Sequence, residues 1–184
     1  MAKLRPFRDY SEHDVINLFA YNGTSLTRGA IVKLDSTTGW KANQNFSTES
    51  MIANLGISNA VSERHALASR VALSDSGDAT VLGMALYDVA EVDENGEKLI
   101  FNPRKAHEMQ TVVSGQAVPV VTDGMFLVNG VTNPTLALAG VKAYSLDDGA
   151  IGALPVGEEG TAVSIGKFLG GTAANGDVLL KLEL

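Results

Sequence analysis

The sequence contains no cysteine, which excludes disulfide scaffolds, thiolate zinc sites and cysteine nucleophiles together. Aromatic residues make up only 6% of the 184, so Val, Leu, Ile and Ala must fill the interior. Charged residues amount to 19% against 45% apolar, too few for a disordered chain and close to the globular norm. No stretch approaches the roughly 18 apolar residues of a membrane-spanning helix. The opening MetAlaLysLeuArgProPheArg lacks the apolar run of a signal peptide, so a soluble protein of the reducing cytosol, without a membrane partner, is expected. Cations are also scarce. Lys and Arg total 14 against 21 acids, and a net charge of −7 repels phosphate backbones, so nucleic acid is not an expected partner.

What is abundant is glycine, with 19 residues, and its placement organises the chain. Gly29 to Gly39, Gly115 to Gly124 and Gly140 to Gly149 enclose apolar runs, the paired glycines standing ten, nine and nine positions apart. Asp123-Gly124 and Asp148-Gly149 are turn pairs between apolar runs, so each unit predicts a β-hairpin. Two further segments, Val81 to Tyr87 and Ser164 to Leu169, place Gly83 and Gly166 inside apolar strands, where glycine marks a bulge or a close backbone approach. Val15 to Tyr21 reads as a strand ending at the Asn22-Gly23 turn. In the closing segment, Leu180, Leu182 and Leu184 alternate with Lys181 and Glu183 as in a half-buried strand. Ser47 to Asn59 fits a short helix or a loop, and Gly96 to Met109 a turn followed by one helical turn. These elements predict an all-β meander or barrel.

Charge is distributed unevenly. Lys3, Arg5 and Arg8 give the first eight residues a charge of +3, against 11 basic and 21 acidic residues in the remainder. Pro6 has no N–H to donate and disfavours helix at Arg5, so Lys3 to Tyr10 is expected to be extended, with Leu4, Phe7 and Tyr10 needing a surface to lie on. Residues 1–22 are read as an N-terminal arm with the first strand, and 23–184 as a single β domain.

No catalytic constellation can be assembled from spacing. His13, His65 and His107 lie far apart with no second metal ligand beside any of them, so no metal or cofactor is expected. Asp93-Glu94-Asn95-Gly96 has its glycine fourth instead of sixth for a calcium loop, and reads as a hairpin turn. Ser74-Asp75-Ser76-Gly77-Asp78 reads as a solvated turn. Ser114 lacks the setting of a nucleophile elbow, and Lys167, near Gly166 and Gly170-Gly171, lies in a strand and not at a phosphate loop. Trp40, Tyr87 and Tyr144 suit hydrophobic seams better than a sugar-stacking platform. The chain is therefore read as non-catalytic.

From about Val81 to Leu184, and more loosely from Gly29, the sequence resembles the capsid decoration (cement or head-stabilising) proteins of tailed bacteriophages. The carriers are Leu82-GlyMetAlaLeuTyrAspVal, Gly96-GluLysLeuIlePheAsnProArgLys, Ser114-GlyGlnAlaValProValValThrAspGlyMetPhe, Ile165-GlyLysPheLeu and the GlyAspValLeuLeuLysLeuGluLeu end. The resemblance implies a β-sandwich or tulip-like β-barrel with no catalytic residue, to which the residues themselves add the extended N-terminal arm. It also implies a homotrimer bound to the major capsid protein on the outer surface of the virion. The arm residues Arg5, Phe7, Arg8 and Tyr10, with Arg104 and Lys105, are the expected capsid or inter-protomer contacts. The alternatives are an adhesive or carbohydrate-binding head-fibre module and a tail-tube component.

Overall fold

The computed structural model describes residues 4–6, 11–35, 69–157, 160–171 and 175–184. Thirteen strands are present among them: β1 (Arg5–Pro6), β2 (Val15–Ile16), β3 (Ile31–Asp35), β4 (Arg70–Leu73), β5 (Val81–Ala85), β6 (Asp88–Ala90), β7 (Thr111–Val113), β8 (Val120–Val121), β9 (Asp123–Asn129), β10 (Lys142–Ser145), β11 (Ile151–Gly152), β12 (Ser164–Phe168) and β13 (Asp177–Glu183). Among the described residues one short α-helix, α1 (Pro103–Glu108), lies between β6 and β7. The protein is all-β.

Two antiparallel sheets and a small third layer make up the body. One sheet has six strands in the order β1-β9-β13-β12-β10-β11, and the other has five in the order β2-β8-β5-β3-β4. The six-stranded sheet is curled: Thr132, just beyond β9, forms a bridge with Gly152 in β11 at the opposite edge. In the third layer β6 and β7 pair in parallel, Asp88 to Thr111 through Ala90 to Val113, and α1 crosses between them.

The five-stranded sheet is buried on both faces. Ile31, Met84 and Val121 lie opposite one another across β3, β5 and β8 and enter the core shared with Phe126, Ile165, Phe168, Leu180 and Leu182 of the six-stranded sheet. Their chain neighbours Val32, Ala85 and Val120 point the other way, into a second core with Leu26, Val89 and Val118. All six are 0% exposed. This explains why these strands read Ile-Val, Met-Ala and Val-Val without polar alternation. In contrast, β13 alternates: Val178, Leu180 and Leu182 are buried while Glu183 is exposed. Leu184, expected to continue that inward series, lies past the strand end and is 45% exposed.

The strand glycines are sites of close backbone approach. A Cβ at Gly83 would overlap the Val121 carbonyl oxygen, and one at Gly166 would overlap that of Lys181. The adjoining ladders slip register between Val32 and Lys33 and between Ala143 and Tyr144. Gly29, Gly115 and Gly140 turn the chain with φ between 88° and 92°. The Asp148-Gly149 hairpin is present, joining the antiparallel pair β10 and β11. Gly39 and the far end of its unit, like Ser47 to Asn59, lie outside the described residues.

The expected hairpin at Asp123-Gly124 is not formed. β8 belongs to the five-stranded sheet, and the chain crosses at Thr122 into β9, where Asp123 faces Glu183 and Gly124 faces Leu182. An Asp-Gly pair makes a hairpin when its flanking runs pair with each other. Here Val121 and Phe126 enter one core from different sheets, and burial of both outweighs the local turn preference. Gly124 is needed for fit instead, because a Cβ there would stand 2.7 Å from the Phe126 ring.

The loop Ser74 to Asp78 forms the expected turn, with its first residue buried. Ser74 is 0% exposed, its hydroxyl lies 2.6 Å from that of Ser145 in the other sheet, and its carbonyl accepts from Gly149 N–H at 2.8 Å. Ser76 N–H donates to Asp147 at 2.8 Å, and the Lys33 ammonium closes on Asp75 and Asp78 at 3.1 and 2.8 Å. The tip, Asp75 and Ser76, is an exposed turn, while the buried Ser74 at its base ties the two sheets together.

Two stability outcomes follow from this packing. Gly83→Ala should destabilise by about 2 kcal/mol or more because backbone must move, whereas Gly96→Ala, with open space around it but φ at +83°, should cost only about 1 kcal/mol. Ser74→Ala should cost about 1–3 kcal/mol by stranding the buried Ser145 hydroxyl. Chemical denaturation of the variants measures each.

Candidate interaction surfaces

The basic N-terminal segment enters the structure as an edge strand. Arg5 pairs with Leu127 and Pro6 with Phe126, and Leu4 is 8% exposed in the first core. Asp177, 6% exposed, accepts from the Arg5 guanidinium, from Asn175 Nδ2 at 2.7 Å and from Asn129 Nδ2 at 3.1 Å. A buried carboxylate with three donors is well compensated. The Arg5 side chain nonetheless remains 55% exposed. Residues 11–21 then join the five-stranded sheet through β2 and a bridge from Tyr21 to Val71, so the described parts of 1–22 belong to the body itself. Phe7, Arg8 and Tyr10 lie outside the described residues.

The second expected contact site lies on the third layer. Asp93, within the anticipated hairpin turn, accepts from the N–H groups of Asn95 and Glu97, each at 2.8 Å. Its other oxygen takes the Lys105 ammonium, which also reaches Glu94 at 3.4 Å. Lys105 is thus a clamp that ties α1 to this turn. Arg104 is 92% exposed and meets Glu108, one helical turn on, at 3.0 Å. Beside them Ile100 and Phe101 are 65% and 78% exposed, while Leu99, Ala106 and Val113 form the small core beneath. Arg5 and the Arg104–Lys105 pair do not meet, because the five-stranded sheet and both its cores stand between them.

A groove of about 370 Å³ runs between α1 and β7, lined by Tyr87, His107, Gln110, Thr111, Gln116 and neighbours. Tyr144, weighed with Tyr87 as a sugar-stacking residue, is only 5% exposed and belongs to the interior; Trp40 lies outside the described residues. The Ser114 hydroxyl donates to the Gly23 carbonyl at 3.2 Å. His13 and His107 are exposed. No group of three or more metal-ligating side chains comes together among the described residues. Among them, no helix is long and apolar enough to cross a membrane.

One arrangement was invisible in the sequence. On the outer face of the six-stranded sheet, Lys142 lies opposite Lys167 and Lys167 opposite Lys181, a row across β10, β12 and β13. Each lysine sits singly among apolar residues, so only strand register brings them together.

The Asp93 clamp makes stability depend on pH. The Lys105 hydrogen bond, seconded by the two backbone N–H groups, holds the Asp93 carboxyl below its ordinary range. A carboxyl depressed on folding contributes fully above its unfolded pKa of about 3.9. That contribution disappears as the pH falls through the lower folded value. Asp93→Asn should therefore flatten the acid limb of a Tm-against-pH profile, and an Asp93 carboxyl titrating normally by NMR would contradict the clamp.

No protein-family model matches this sequence, and no curated protein resembles it at a significant level.

Proposed function

We propose that this protein is a non-catalytic structural component of a tailed-phage virion, binding the outer surface of the major capsid shell and stabilising it, in three copies as the resemblance implies. The fold is the kind that resemblance calls for, an all-β body with sheets packed face to face. The observation that carries the reading is the anchoring of the basic segment at the sheet edge. Leu4 is buried and Arg5 is held by Asp177 at one edge of a body of the opposite charge, and Lys3 and Arg8 precede and follow that strand in the sequence. A rigid exit point lowers the ordering cost of a contact made there. Several copies on one shell turn modest contacts into firm attachment.

The test is cosedimentation with empty shells assembled from the major capsid protein of the same virus. The parent protein should decorate them. Lys3→Gln with Arg8→Gln, which leaves β1 intact, should weaken binding about tenfold, as expected for two exposed ion pairs of roughly 0.5–1 kcal/mol each. A parent protein that stays in the supernatant overturns the reading.

A further inference from the structure

The outer face of the six-stranded sheet carries charge in an unfavourable arrangement. Lys142, Lys167 and Lys181 stand directly opposite one another on three adjacent strands, about 4.8 Å apart, in a chain of net charge −7. Like charges so placed destabilise a sheet. Alternation puts all three outward, because Ala143, Phe168, Leu180 and Leu182 beside them turn into the core. Glu183 neutralises only one, accepting from Lys181 at 3.0 Å. Lys142 and Lys167 are exposed and have no carboxylate partner among the described residues. The Glu183 carboxyl is held below its ordinary range chiefly by the Lys181 hydrogen bond, with a smaller contribution from Lys167.

Next to the lysines on the same face, Leu127 lies opposite Leu179, both half-buried, and Arg5 of the edge strand lies opposite Leu127. On the other side Asp123 faces Glu183. Cations are therefore bordered by apolar side chains on one side and by carboxylates on the other.

We infer that this face is a docking surface for an acidic polypeptide segment, whose carboxylates pair with Lys142, Lys167 and Lys181 while its apolar side chains cover Leu127 and Leu179. Resting on the capsid reading above, this makes the partner an acidic stretch of the shell protein. A uniform polyanion fits less well. Duplex DNA or an anionic membrane would bring phosphates over Asp123 and Glu183 and leave the leucines uncovered, and the row contains no arginine fork for phosphate.

The test compares the parent protein with Lys142→Gln/Lys167→Gln, using a fluorescent glutamate-rich peptide with interspersed leucines (the polyglutamate peptide), a DNA duplex and phosphatidylserine vesicles at low salt, alongside the shell assay. Relief of repulsion should leave the variant's Tm equal to or slightly above that of the parent, which separates lost binding from misfolding. Binding of polyglutamate by the parent, weakened at least tenfold in the variant, supports the inference; equal binding overturns it. Tighter, lysine-dependent binding of DNA or vesicles also overturns it, by assigning the face to phosphate. So does a parent oligomer that dissociates in the variant while polyglutamate binding is unchanged, because the occupant is then a second copy of the chain. If the parent decorates shells and the variant does so equally, the docking face is wrong and the capsid reading stands. If the parent ignores shells but the variant loses polyglutamate, the capsid reading fails and the acidic-segment face stands.

Discussion

The rest of the molecule depends on burial of the five-stranded sheet on both faces. The row Ile31–Met84–Val121 seals it against the curled sheet, and Val32, Ala85 and Val120 seal it against the third layer. Fully burying the Ile, Val and Met side chains among them is worth about 1.5–3 kcal/mol each, and none of the six can be exposed without opening a core. Backbone must then come as close as side chains allow, which is why position 83 is glycine. The polar groups at the seam are paired across it through Ser74, Ser145 and Gly149 instead of facing water.

A doubly covered central sheet leaves function to the outer layers. Three surfaces result: the edge strand that holds Arg5, the lysine-bearing face of the curled sheet, and the tip of α1 with Ile100, Phe101 and Arg104. The first two are parts of one sheet, whereas the third lies beyond the central sheet. A partner gripping the basic edge thus meets the lysine row next, and the contact residues anticipated at 104 and 105 belong to a different side. Lys105 is in addition committed to Asp93, which leaves Arg104, paired only with its exposed helix neighbour Glu108 among the described residues, as the more accessible cation of the two.

Local chemistry was legible wherever it acted within a few residues. The Asp93 to Gly96 turn, the Asp148-Gly149 hairpin, the single helical turn after Asn102 and the outward Lys181 and Glu183 of β13 follow from turn residues and alternation. Gly83 and Gly166 were readable as interruptions of apolar strands, though not the carbonyls they approach. Asp123-Gly124 misled because its turn chemistry is the same whether the following strand folds back or crosses to another sheet. The Ser74 loop was legible as a turn, but not the burial of Ser74 at its base, because a hydroxyl suits an exposed turn and an interior pair equally.

Composition and periodicity by themselves determined an all-β chain with an apolar interior, no thiol chemistry and a basic segment on an acidic body. Only the tertiary structure decided which strands share a sheet, that β6 and β7 run parallel, that Leu4 to Pro6 close an edge, and that Lys142, Lys167 and Lys181 stand in one row. The reason is the range of the forces involved. Turn and alternation preferences are properties of neighbours in sequence. Register between strands far apart in the chain is set by which apolar rows can be buried together, and a shift of one residue would have sent every lysine of that row inward.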